Sequence, residues 1–286
     1  MAHMTINQHL RRIARIPSRF LFAFSYYGRK LRSLVSWSLF SREDTNLTYE
    51  LTDDNLDYLA HSVALVTGCP FEKARAYIEE ARTDEALKAH VLERTRLSEY
   101  RLRADERCHF GRRLGWYAFV RVMRPKCVVE TGVDKGHGAV LLCAALLRNE
   151  AEGFPGRYVG TDINPQAGLL LAPPYNRAGQ ILYGDSIESL KALPSKVDLF
   201  INDSDHSADY EYAEYLTIRP LLAAGGIILG DNAHATSKLA RFSRETGRDF
   251  AFFREVPKDH WYPGAGIGIS FKRTGPGDAS GVPAGQ

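Results

Sequence analysis

Cysteine is scarce in this chain of 286 residues: Cys69, Cys108, Cys127 and Cys143 are scattered, with no metal-type pairing. That scarcity excludes a small disulfide-stapled fold and a cysteine-based zinc site, and it suits a reducing compartment such as the cytoplasm. Cys127 and Cys143 lie in apolar stretches and are expected as buried free thiols. No apolar run reaches the roughly 18 residues needed to cross a bilayer, so no spanning helix is expected. Acid is missing altogether from residues 1–40, which hold seven basic side chains: Arg11, Arg12, Arg15, Arg19, Arg29, Lys30 and Arg32. Of 37 basic and 34 acidic residues in all, 30 and 34 fall outside that segment, a net of −4. The overall excess of +3 is therefore an N-terminal property, and nucleic acid is not expected as a partner. No internal repeat is present.

What remains is ordinary for a globular protein, with 44% hydrophobic and 25% charged residues. The length suffices for one large α/β domain plus an accessory segment. Met1-Ala2-His3-Met4 reads as a cloning scar before a native start at Met4.

The most informative stretch runs Val128-Val129-Glu130-Thr131-Gly132-Val133-Asp134-Lys135-Gly136-His137-Gly138. An apolar strand ends in an acid, and three glycines precede the helical run from Ala139 to Leu147. Glycines so spaced let the backbone turn sharply and lie close to a ligand, with helix N-terminal amides pointing at it. About thirty residues on, Tyr158-Val159-Gly160-Thr161-Asp162 ends in a carboxylate suited to a ribose diol. Ile181–Ser186, Val197–His206 and Gly225–Asn232 then repeat the pattern of apolar strand and polar end. Strands separated by helix-length segments predict a parallel sheet with ligands at its carboxyl edge. The expected strands are 126–131, 157–162, 180–183, 197–202 and 226–230, with 249–255 and 266–271 as a closing hairpin.

This succession resembles the class I S-adenosylmethionine-dependent methyltransferases over roughly residues 105 to 272. The resemblance implies an α/β, Rossmann-like fold: a seven-stranded, mostly parallel sheet with helices on both faces, here with an N-terminal helical extension. Phe200-Ile201-Asn202-Asp203-Ser204-Asp205-His206-Ser207 further resembles the Asp-Gly-Asp-His element of bacterial O-methyltransferases. Those enzymes act on sugars of macrolides, aminocoumarins and glycolipids, and cephalosporin hydroxylase-like proteins are their relatives.

S-adenosylmethionine is the implied donor. Glu130 suits its ammonium, directly or through water. Gly132, Gly136 and Gly138 permit close approach, Asp162 suits the ribose, and Asp185 with Ser186 the adenine. Asp203 belongs to the same rim. Plainer roles stay open, since Glu130 and Asp162 could cap helices and Asp185-Ser186-Ile187-Glu188 reads as a helix start. Methyl transfer requires an aligned acceptor hydroxyl and removal of its proton. In metal-dependent relatives the matching positions, Asp203, Asp231 and Asn232, hold a divalent cation, so Mg²⁺ is expected to assist. Asn232 departs from the usual acid and lowers the site's charge by one. His206, with an ordinary pKa of about 6.5, is the first candidate for general base, and Asp205 the second. His234, His260, Trp261 and Tyr262 could line the acceptor pocket, or the loop could simply tuck onto the hairpin.

The expected organisation is a basic arm (1–51), a helical cap or lid (52–104), the methyltransferase domain (105–273) and a disordered tail rich in Gly, Pro, Ser and Ala (274–286). Thr52 and Asp84 read as caps, Gly68 as a stop and Pro70 as a helix start. A further helix is expected over 105–123. The arm mixes arginines with Phe20–Phe24 and Leu34–Phe40. It is read either as an interfacial segment for the inner membrane face or as an arm packing on the domain or a second subunit. The acceptor is expected to be a small molecule or an oligosaccharide and the protein a homo-oligomer. Two other readings stand beside O-methylation: a hydroxylase-like relative, or a non-catalytic module that binds S-adenosylmethionine. No two-histidine, one-carboxylate cluster is apparent for the hydroxylase.

Overall fold

The computed structural model describes residues 6–43, 48–205, 207–231 and 233–273. The tail 274–286, His206 and Asn232 therefore lie outside the described residues. Two helices open the chain, α1 (Ile6–Ala14) and α2 (Ile16–Phe40), followed by α3 (Asp53–Thr67), α4 (Phe71–Arg82) and α5 (Glu85–Arg96). Then come α6 (Arg113–Met123), β1 (Cys127–Thr131), α7 (His137–Ala151), β2 (Arg157–Asp162), β3 (Gly179–Tyr183) and α8 (Ser186–Lys191). The chain continues with β4 (Val197–Asn202), α9 (Ala208–Ile218), β5 (Leu222–Gly230), α10 (Lys238–Glu245), β6 (Asp249–Arg254) and β7 (Gly266–Phe271).

The seven strands form one sheet in the order β3-β2-β1-β4-β5-β7-β6. The first five run parallel, and β7 joins β5 and β6 antiparallel. Right-handed crossovers put helices on both faces of such a sheet, so its strands are buried twice over and read as continuous apolar runs. The period of two divides those runs between two cores. Val128, Leu199, Ile201, Ile227 and Leu229 join the core shared with α3–α7. Val129, Phe200 and Ile228 join the one shared with Tyr215, Leu239 and Phe242.

Local signals place most helix ends. Gly68 closes α3 in the left-handed region, at φ 72°, and the Asp84 carboxylate accepts the Leu87 amide at 2.9 Å to start α5. Thr52 takes the cap position of α3, but its side chain makes no cap bond. α6 begins at Arg113, eight residues after the expected start, and β5 begins at Leu222, four residues early. The helical segment α3–α5 contributes Leu56, Leu59, Val63, Ile78 and Leu87 to the same core as the sheet. It is thus packed into the domain's interior face, and α5 also holds the loop after β2, His90 Nε2 lying 2.9 Å from the Leu170 carbonyl.

Candidate active site at the carboxyl edge of the sheet

Strand order reverses between β1 and β4, and the carboxyl edge at such a reversal is the usual ligand position in this architecture. Gly132 lies at that point with φ 81°, and a Cβ there would sit 2.0 Å from the Asp203 carbonyl oxygen. The turn after β1 is therefore pressed against the end of β4, leaving no room for a side chain. Gly132→Ala should cost about 3 kcal/mol or more, combining backbone strain with overpacking. Gly153, also left-handed (φ 90°) but with open space around it, should lose only about 1 kcal/mol as alanine. Urea denaturation of the two variants checks this, and equal losses would remove the packing argument.

Asp162 ends β2 and faces the same rim. Its Oδ2 accepts the Asp134 amide at 2.8 Å and its Oδ1 the Asn164 amide at 2.8 Å. Each oxygen keeps a lone pair, so the carboxylate is held in place yet able to receive a diol. Ile163, next in sequence, is 81% exposed, an apolar side chain lying open beside that acid. It suits the flat face of a nucleobase, and its signal in the sequence was only an isoleucine following the acid.

Glu130 is placed differently from a ligand contact. Its side chain turns beneath the glycine turn, is 1% exposed, and accepts the Tyr158 hydroxyl proton. A Cβ on Gly138 would meet its Oε1 at 2.0 Å, so Gly138 makes room for this carboxyl group. Burial pushes its pKa up to about 8, against the opposing hydrogen bond from Tyr158. Gly136 caps α7 with φ 97° and packs on Gly168.

Asp185 and Ser186 behave as a helix start. Asp185 Oδ1 accepts the Glu188 amide at 3.0 Å, and Oδ2 accepts the Tyr210 hydroxyl at 2.9 Å. That amide, more than the Tyr210 hydroxyl, holds the carboxyl below its usual range. Ser186 is buried and donates to Glu214. Sequence reading missed Glu214, which α9 inserts under the rim. Its carboxylate gathers Thr131, Ser186, Asn202 and Ser204, from the ends of β1 and β4 and the start of α8. Burial pushes this carboxyl up, against the hydrogen bonds. An acid inside an aromatic helix, Tyr210-Glu211-Tyr212-Ala213-Glu214-Tyr215, was the one trace of it in the sequence.

Asp203 and Asp231 lie at the ends of β4 and β5, close enough that each acts on the other's ionisation. Arg112 grips Asp231 with two arms: Nε donates to Oδ1 at 2.6 Å, and Nη2 donates to Oδ2. Its third arm, Nη1, reaches Glu255 at 3.1 Å and the Tyr49 hydroxyl at 3.2 Å. Arg113 Nη2 stands 3.7 Å from Asp203 Oδ2. Burial and the neighbouring Asp231 push Asp203 up. Burial also acts on Asp231, but the Arg112 charge and hydrogen bonds outweigh it and hold the carboxyl at about 2.

This arrangement bears directly on the expected cation. Both oxygens of Asp231 already face a guanidinium, and Arg113 offsets Asp203, so the acids are balanced from within the chain. Among the described residues, no group of three or more His, Cys, Asp or Glu is disposed to hold a metal ion. Asp203 and Asp231 as placed therefore do not fit Mg²⁺, and Asn232 lies outside the described residues. The signal for Arg112 and Arg113 was a pair of arginines just before α6, far from the acids in sequence.

Asp205 is exposed, and its Oδ1 accepts the Ser207 amide at 2.6 Å, just before α9. His234 Nδ1 lies 3.3 Å from the Asp231 carbonyl oxygen. His260, Trp261 and Tyr262 form an aromatic cluster with Tyr49, whose ring lies 5.3 Å from His260 and 5.7 Å from Tyr262. Tyr49 ties this cluster to Arg112 and to Glu255, donating to the latter at 2.8 Å. A cleft of about 760 Å³ opens beside the cluster, lined among others by Trp37, Tyr49, Asp105, His109, His260 and Trp261.

Residues 129–233, from β1 to just past β5, match a family model described as a methyltransferase domain. Over that segment the chain is similar to methyltransferase domains. The matched segment includes Glu130, the glycine turn, Asp162, Asp185, Asp203 and Asp231. No curated protein matches the chain. Among solved structures, the methyltransferase domain is similar in fold to the O-methyltransferase TomG of Streptomyces achromogenes, involved in tomaymycin synthesis, in complex with SAM. That likeness has 16% identity, covers 67% of this chain and 91% of that one, and gives a TM-score of 0.47. An O-methyltransferase from Bacillus cereus in complex with SAH shares 13% identity over 85% of this chain and 97% of its own, with a TM-score of 0.41. A methyltransferase from Geobacter sulfurreducens shares 18% identity over 55% and 76%, with a TM-score of 0.44. These likenesses do not bear on substrate.

Proposed function

We propose that this protein is an O-methyltransferase acting on a hydroxyl of a sugar, polysaccharide or glycosylated natural product. The observation that carries the reading is the juxtaposition, on one sheet edge, of Asp162 and the glycine turn with the balanced acids Asp203 and Asp231. When bound, S-adenosylmethionine supplies an electrophilic methyl group. The chain's part is to hold the donor's ribose at Asp162, orient the acceptor hydroxyl and take its proton. His206 is the proposed base. Asp205 ranks behind it, because one carboxylate oxygen is already engaged by the Ser207 amide. Cation assistance is left out of the proposal, since Arg112 occupies Asp231. The rings of His260 and Trp261, which line the cleft, support a sugar acceptor, whose apolar face stacks well on aromatics; Tyr262 belongs to the same cluster.

Calorimetry tests the donor half. The intact protein should bind S-adenosylmethionine, and Asp162→Ala should weaken binding about 10- to 100-fold, the loss of hydrogen bonds to a charged group. A donor that binds both proteins equally would remove Asp162 from the site. A screen for S-adenosylhomocysteine release tests the acceptor half. Turnover with amines or thiols but with no glycoside would sink the sugar reading.

A further inference from the structure

The helices that precede the domain carry a surface the methyltransferase reading does not use. In α1, Ile6, Leu10 and Ile13 recur at helical spacing, and in α2 Phe20, Phe24, Tyr27 and Leu31 follow the same rhythm of fours and threes. All are exposed, Phe20 by 66% and Tyr27 by 70%; Leu21 extends the stripe on one flank, while Phe22 is exposed on the other side of the helix. Arg15 alone separates the two helices (φ −89°, ψ −4°). The arm meets the domain near its end. There Trp37 packs on Trp261 at 5.0 Å, the Ser41 hydroxyl donates to Asp105 at 2.8 Å, and Arg42 pairs with Glu106 at 3.0 Å. Ser33, Trp37 and Ser41 form the row that turns toward the domain. On a helical wheel the stripe of Phe20, Phe24 and Leu31 is centred roughly 120° around from that row, so the apolar face lies to one side of the contact with the domain.

We propose that α1 and α2 dock the enzyme, lying flat, on an anionic lipid bilayer. Charge selects this occupant over a second copy of the chain. The seven arginines and lysines of residues 1–40 stand without a single acid, so two such helix pairs side by side would bring like charges together with no carboxylate of their own to pair them. Phosphate headgroups supply the missing negative charge, and the stripe enters the boundary between headgroups and acyl chains. Among the described residues no helix is long and apolar enough to cross a membrane, so the contact is peripheral.

Sedimentation of the full chain with vesicles tests this. Phosphatidylglycerol-rich vesicles should bind it at least about tenfold more than phosphatidylcholine vesicles, and added salt should release it. Phe20→Ser with Leu31→Ser should abolish binding, and Arg12→Ser with Arg29→Ser should weaken it on the order of tenfold at low salt. These side chains are exposed, and unchanged circular dichroism and donor binding would show that the domain is intact. Equal binding to neutral and anionic vesicles, or none to either, overturns the proposal. So does light scattering in which Phe20→Ser with Leu31→Ser turns an oligomer into a monomer without altering vesicle binding, for then the stripe joins copies of the chain.

Discussion

Arg112→Ala should lower stability by about 3–5 kcal/mol, the usual effect of removing one partner from a buried ion pair. Asp231 is 3% exposed and Glu255 is fully buried, and both take hydrogen bonds from this one guanidinium. Without it two carboxylates stay in a poorly solvated site, with Tyr49 and the Ala265 amide left on Glu255 and the more distant Arg113 charge left near Asp231. In a chain of this size such a loss lowers the melting temperature by about 10 °C. Arg112→Lys should recover part of the deficit, because an ammonium restores charge but cannot span Asp231 and Glu255 in one plane. The sharper measurement is a double-mutant cycle. Asp231→Asn should destabilise the wild type, yet be neutral or stabilising beside Arg112→Ala, where it removes an unpaired charge. Strict additivity would mean that the two residues do not act as a pair. Mn²⁺ should leave the wild-type melting temperature unchanged, whereas a clear rise would show that the acids accept a cation despite Arg112.

The second large effect concerns Glu130 and depends on pH. Its folded pKa, about 8, lies above its ordinary value of 4.5, so the folded state holds this proton more tightly than the unfolded state does. Stability from this group is full below about pH 4.5, falls as pH rises, and is lost above about pH 8. Glu130→Gln keeps an acceptor for the Tyr158 hydroxyl and carries no charge. The variant should therefore exceed the wild type above pH 8 by on the order of 4 kcal/mol, with the gap closing toward acid. Urea titrations at several pH values measure it. Parallel stability curves would show that the buried carboxyl does not titrate in this range.

Glu130 also shows where reading from sequence stops. Its type and its place after β1 agree with an ammonium ligand, and so does the turn that follows. Which way its side chain points depends on Tyr158, Trp116 and Gly138, contributed by three other elements. The strands fared better, because burial on both faces leaves an uninterrupted apolar run and a polar end. All seven expected strands are present, with β5 extended at its start. α6 was placed too early because residues 105–112 carry no strong stop or start signal. The cap reading of Asp185 came from Ser186 and Glu188 beside it, and the structure shows that cap.

The chain order alone determined the sheet, the glycine turn, the acid Asp162 at the end of β2 and the basic, acid-free stretch 1–40, since each is written in neighbouring residues. Tertiary structure decided what faces the acids. Arg112 reaches Asp231 from 119 residues away in numbering and joins it to Tyr49 and Glu255, 182 and 24 residues from Asp231, a convergence no local pattern encodes. The physical reason is that backbone preferences act over a few residues, whereas buried charge must be neutralised by whatever the fold brings within hydrogen-bonding distance.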